Sequence, residues 1–167
     1  MSAFDASLLE WVYEFAQKNF MLVFAICMLL YRVYQAQQPF PETGGRVEAV
    51  HDDDELDAKL KKAKDNKQVA VVDFYATWCP PCKAAALRYG AMSEEMPDAL
   101  FLKVDVDKCK AAAQKHGITA MPTFHVFGAD GEKFDSVRGA DLAKVKKLVS
   151  FAVDFQNKKD AETEKDK

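Results

Sequence analysis

The sequence predicts an α/β protein, a mixed central sheet flanked by helices and preceded by an N-terminal transmembrane helix. Three observations carry that expectation. From Val47 onward, apolar runs of strand length alternate with segments of helical character. One of those runs, "QVAVVDFYA", is near-continuous, as a strand buried on both faces requires. Far upstream, Phe20 to Tyr31, "FMLVFAICMLLY", is twelve residues without a polar side chain. The chain thus divides into a membrane-anchor helix (1–34), a linker (35–46), an α/β domain (47–156) and a disordered charged tail (157–167).

Twelve helical residues reach roughly 18 Å, short of a bilayer core of about 30 Å. The flanks extend the reach. Trp11 and Tyr13 on one side and Tyr31 and Tyr34 on the other are placed like two interfacial aromatic belts, and from Trp11 to Tyr34 a helix covers about 35 Å. Glu14, Lys18 and Arg32 would reach the headgroups along their own stems, while Gln17 and Asn19 weaken the pattern. Two other readings stand beside a span: a helix docked on a partner or lying in the interface, and a targeting segment. Against the last, Asp5, Glu10 and Glu14 replace the basic start of a secretory signal, and no small-x-small site precedes "QQPFPE". Positive charge near the span sits on its C-terminal side, at Arg32 and Arg46, which favours a main domain on the matrix or cytoplasmic side. A mitochondrial inner membrane is the expected location.

"QAQQPFPETGGR" has two prolines and a Gly-Gly pair and reads as linker. "VEAV" is then a short strand, and "DDELDAKLKKAKDN" a helix with acids at its start and lysines towards its end, as the helix dipole prefers. After the buried strand, Cys82 to Met96 is helical up to Pro97; "ALFLKVDV" is a strand; "KCKAAAQKHG" is a helix capped by Gly117. "PTFHVF" and "EKFDSVR" form a hairpin about "GADG", and "DLAKVKKLVSFAVDFQ" closes the domain as a helix. Composition is globular, 49% apolar and 29% charged, and a net charge of −3 argues against nucleic acid as a partner.

Chemistry concentrates in "YATWCPPCK". A strand ends at Ala76, and a helix begins within Pro80 and Pro81, because proline fits the first turn, where its missing N–H would have had no partner. Cys79 therefore sits at a helix N-terminus, where unpaired N–H groups favour a thiolate. Cys82 lies one turn on, within bonding reach. That pairing suits thiol–disulfide exchange, with Cys79 attacking a substrate disulfide and Cys82 resolving the mixed disulfide. Half a zinc site is the alternative; its other ligands would be Cys109 or one of His51, His116 and His125, none at paired spacing. An inert pair is the third. Asp73 interrupts the apolar run: buried, it would have a raised pKa and could exchange protons with the resolving thiol, and at a sheet edge it would be solvated.

"VVDFYATWCPPCK", followed by "GITAMPTF", resembles the thioredoxin family over Val47 to about Gln156, with Gly139 before the last helix also in register. The resemblance implies a thioredoxin-like fold and a protein-disulfide oxidoreductase with no cofactor beyond the Cys79–Cys82 disulfide. It further implies Cys79 as nucleophile, Cys82 as resolving cysteine, Trp78 as a cover beside them and Asp73 as buried proton carrier. Lys103 matches a lysine that approaches this aspartate, Pro122 a cis-proline facing the disulfide, and Met121 a source of backbone hydrogen bonds to an extended substrate. Two departures are visible within the domain: Pro-Pro between the cysteines in place of Gly-Pro, and Leu87 in place of a helix-kinking proline. The partners implied are protein disulfides, an unidentified thiol reductant and membrane lipid. A second function class remains, an accessory subunit of a membrane complex, for instance a respiratory one, in which the fold serves assembly. Cys27 and Cys109 read as packing residues and His125 as structural.

Overall fold

A computed structural model of the chain describes residues 3–165 and resolves them into two compact units that part between Gln38 and Pro39. In the first unit, α1 (Ala3–Lys18) and α2 (Phe20–Gln37) meet at a bend of 94°. The single straight helix expected from Trp11 to Tyr34 is therefore corrected. No single helix is long and apolar enough to cross a membrane among the described residues, although the bent pair passes that test together. The break falls at Asn19, whose backbone N–H closes the last helical bond of α1 on the Phe15 carbonyl while its side-chain amide donates to the same oxygen, each at 2.9 Å. An asparagine that competes for its own helix's carbonyls ends the helix there. Trp11, Met21 and Leu30 are among the large apolar side chains left exposed on this unit.

The second unit is built on a five-stranded sheet. β1 (Val47–Val50) and β2 (Val69–Tyr75) both run parallel to β3 (Ala99–Asp105), β4 (Thr123–Phe127) is antiparallel to β2, and β5 (Lys133–Arg138) to β4. This is the mixed sheet the sequence predicts. Helices cover both faces. On one, Val69, Val71 and Phe101 meet Tyr89 of α4 (Pro80–Glu95) and Val145 and Val149 of α6 (Leu142–Lys165). On the other, Ala70, Val72, Phe74 and Leu102 meet Leu56 of α3 (Asp53–Asp65) and Ala112 of α5 (Lys110–Lys115). Strand alternation sends consecutive β2 side chains to opposite cores, so the whole run from Val69 to Phe74 is buried.

Helix ends follow the sequence signals. Asp52 caps α3 by accepting the Glu55 N–H at 2.7 Å, and Gly117 ends α5 in the left-handed region at φ +66°. Two segments differ from expectation. Where the sequence suggests disorder from residue 157, α6 continues to Lys165, with Asp160 bonded to Gln156 and paired with Lys67. No glycine or proline interrupts that stretch, and its Lys, Glu and Ala are good helix formers. Asp166 and Lys167 lie outside the described residues.

The expected linker also has structure. Its first residues finish α2, and residues 39–46 form a strap against the rest of the second unit. Phe40 packs on Tyr75 with ring centroids 4.6 Å apart, Thr43 is buried, and the Arg46 N–H donates to Ser93 Oγ at 2.8 Å. Gly45, at φ +63°, approaches Gly90 of α4 so closely that a Cβ on either would strike the other segment's backbone.

His125 lies buried between Phe74, Phe127 and His116, and its Nδ1 has no hydrogen-bond partner among the described residues. Burial, aided by Lys133, His116 and Arg138, pushes its pKa down to about 4. As pH falls below the unfolded value near 6.5, the unfolded chain takes up a proton that the folded chain refuses, so stability is lost down to about pH 4. Urea midpoints measured from pH 7.5 to 4.5 should fall less steeply in His125→Phe than in the native chain; equal slopes would refute the buried neutral imidazole.

Candidate active site

β2 delivers the chain to the site. The Cys79 N–H bonds the Ala76 carbonyl at 3.1 Å, closing a turn directly after the strand. Pro80 and Pro81 then occupy the first two positions of α4, and Cys79 is its N-cap. Its Sγ accepts the Cys82 N–H at 3.3 Å, and its carbonyl accepts the Lys83 N–H at 3.1 Å. Cys79 and Cys82 are joined as a disulfide with Cα atoms 5.3 Å apart. Cys79 is 4% exposed and Cys82 not at all, so the first is the nearer to solvent. Pro80 and Pro81 have no N–H to offer, so the Cys82 N–H is the first-turn donor on the Cys79 sulfur, and with the helix dipole it favours a thiolate once the disulfide opens.

The other predicted residues gather around the pair or on the strands behind it. Met121 belongs to the same cluster as the two cysteines, and its carbonyl oxygen lies 3.6 Å from Cys79 Sγ. The Met121–Pro122 peptide bond is cis. Trp78 is 53% exposed, and its indole N–H donates to Asp107 Oδ2 at 2.8 Å; Asp107 is in turn held by its own N–H on Asp105 Oδ1. Leu87, where a kinking proline is expected from the resemblance, lies exposed on an α4 that runs unbroken from Pro80 to Glu95.

Asp73 is buried, which settles the alternative of an edge position. It lies directly opposite Lys103 on the neighbouring strand, and its Oδ1 has no partner among the described residues. Desolvation pushes its pKa up to about 8 against the pull of the Lys103 charge. At neutral pH it carries a proton. Tyr75, two residues along the same strand, is pushed up to about 12 by burial and by Asp105, Asp73 and Cys109.

Sequence reasoning missed Asp107, Thr43 and Phe40. Nothing in "VDVDK" distinguishes Asp107 as the residue that holds the indole. Thr43 and Phe40 lay in a segment read as linker, although its Gly-Gly pair was a signal of close backbone approach. Cys109 sits buried in a different core, beneath β1, and Cys27 is exposed on α2. Among the described residues, no group of three or more His, Cys, Asp or Glu side chains is arranged to hold a metal.

The chain compares directly with known proteins over this domain. The family described as Thioredoxin matches residues 47–154. A thioredoxin H-type from Chlamydomonas reinhardtii is 46% identical over 108 residues, covering 64% of this chain and 95% of that protein. A thioredoxin H-type from Oryza sativa subsp. indica is 46% identical over 96 residues, 58% of this chain and 78% of its own. Among solved structures, a thioredoxin from Nicotiana alata superposes with a TM-score of 0.62 at 35% identity, covering 65% of this chain and 94% of that one.

Proposed function

The chain belongs to the thioredoxin family and is a thiol–disulfide oxidoreductase acting on protein disulfides; from that premise we propose that Cys79 and Cys82 carry the exchange, at a membrane surface. The observation that supports this most is the Cys79–Cys82 disulfide at the start of α4, with the Met121 carbonyl beside its outer sulfur. In the reduced chain the Cys79 thiolate attacks one sulfur of a substrate disulfide, and the other substrate sulfur leaves and is protonated from solvent. Cys82, its proton passing to the fraction of Asp73 that is ionised below a pKa of about 8, then attacks Cys79 Sγ. The second substrate sulfur departs, leaving the disulfide on the chain and two electrons on the substrate. A dithiol reductant runs these steps in reverse. In that direction Asp73, protonated at neutral pH, returns its proton to the departing Cys82 sulfur. Trp78 and the Met121–Pro122 backbone would flank an extended substrate, with Lys103 modulating Asp73.

The membrane part of the proposal rests on α1 and α2, whose exposed Trp11, Phe20, Met21 and Leu30 want an apolar partner. Bent at Asn19, the pair suits attachment to lipid, of the mitochondrial inner membrane on the charge asymmetry around it. Two measurements on the full chain test the reading. It should reduce insulin disulfides in the presence of dithiothreitol faster than the reductant alone, and it should stay with vesicles of mitochondrial lipid composition through flotation. Turnover without flotation removes the membrane. Flotation without turnover would leave an assembly subunit, because then the fold would serve docking alone.

A further inference from the structure

Asp73 and Lys103 are register partners on adjacent parallel strands, so their side chains leave the same face of the sheet. Asp73 Oδ1 nonetheless has no hydrogen-bond partner among the described residues, and the Lys103 ammonium donates instead to Thr43 Oγ1 at 3.0 Å. Thr43 comes from the strap, outside the sheet and sixty residues away in sequence. It is 5% exposed and is held on both sides: upstream by Phe40 on Tyr75, downstream by Gly45 against Gly90 and the Arg46 N–H on Ser93 Oγ. Ser93 Oγ in turn bonds the Gly90 carbonyl at 2.6 Å, tying strap and helix together. A hydroxyl so fixed offers the lysine an acceptor that does not move.

We propose that Thr43 is a positioning residue for disulfide exchange: its hydroxyl holds the Lys103 ammonium away from the Asp73 carboxyl, so that the strap sets how firmly Asp73 keeps its proton. The inference rests on the proposed role of Asp73 as the proton carrier for Cys82. The titratable groups that face Asp73 are few. β3 brings Lys103, β2 itself brings Tyr75, and α4 brings Tyr89, whose hydroxyl lies 3.0 Å from the carbonyls of both Val71 and Leu102. From β4 the register partner is Phe124, which does not titrate. Lys103 is thus the cation among them, and its distance from the carboxyl is what a change at residue 43 would alter. Without the Thr43 hydroxyl, ammonium and orphaned carboxyl oxygen each satisfy the other, and the ionised form of Asp73 gains.

The test is a carboxyl-carbon NMR titration of Asp73 in the oxidised full chain. Thr43→Val, which keeps shape and removes the hydroxyl, should lower the Asp73 midpoint by about one pH unit or more, the shift a nearby opposite charge produces. Thr43→Ser should restore the native midpoint. Thr43→Ala removes the same hydroxyl with less bulk and should act as Thr43→Val does. In a Lys103→Met background, Thr43→Val should have no further effect, because the path between them is gone. An unchanged or raised midpoint in both hydroxyl-free variants overturns the proposal, as does an equal shift in the Lys103→Met background. The pH dependence of insulin reduction should move with the NMR midpoint. A shifted midpoint in a chain that reduces no disulfide would uphold the Thr43 contact while sinking the exchange reading beneath it.

Discussion

Cys79→Ser is expected to reduce protein-disulfide turnover to the rate of the added reductant alone, a loss of at least about 10³-fold, since the thiol left in the site, Cys82, is fully buried and does not reach a substrate sulfur. The remaining free cysteines do not compensate: Cys109 is buried in another core, and Cys27 lies on α2. Cys82→Ser should behave differently. It keeps the attacking sulfur and loses the resolving one, so the first substrate disulfide encountered should remain attached as a mixed disulfide, visible as a mass increase that dithiothreitol removes. Serine at 82 can still fill the space of a fully buried side chain, so both variants should fold, and near-UV circular dichroism checks that. Retention of full turnover in Cys79→Ser would assign the chemistry elsewhere.

Asp73→Asn should slow recycling and stabilise the fold together. A carboxyl held protonated up to about pH 8 must, on folding at pH 7, recover the proton it loses in the unfolded chain near 3.8. The sign follows: stability from this group is fully present below the unfolded pKa and is lost as pH rises towards the folded value. Replacing the acid removes a cost of about 4 kcal/mol at pH 7, and the gain should fade as pH is lowered through 4. This slope opposes that of His125, so each is read as a difference between native and variant chains. Turnover should fall by about 10²-fold, the lower range for loss of a general acid–base group, most clearly in the step that releases or re-forms the Cys79–Cys82 bond. A variant that is neither stabilised nor slowed would mean that Asp73 is ionised and idle.

The sheet was readable because its signals are local. An unbroken apolar run could only be a strand buried twice, and β2 is that strand; Pro80 and Pro81 could only open a helix, and α4 opens there. Asp73 was readable as a contradiction of its neighbours. What escaped the sequence depends on competition between distant or subtle partners. Asn19 looks like one polar residue in a long apolar helix, yet its backbone leaves helical geometry at φ −117° and its side-chain amide returns to the Phe15 carbonyl where α1 ends. Thr43 carries no local sign at all, because its significance comes from Lys103 on a strand formed far downstream. The indole of Trp78 was legible, but its anchor Asp107 was not, since that pairing spans twenty-nine positions. The terminal helix shows the opposite failing: charge was read as disorder although nothing in "NKKDAETEK" breaks a helix.

Because Gly45 meets Gly90 backbone to backbone and Phe40 lies on Tyr75, the catalytic half begins well before its first strand. Anyone trimming it at Arg46 would strip a seam from beside the carboxyl and lysine, exposing the ring of Tyr75 and the flank of α4 to water. A cut ahead of Pro39 keeps that seam sewn, and a spacer inserted between the two units belongs on the same side of the proline.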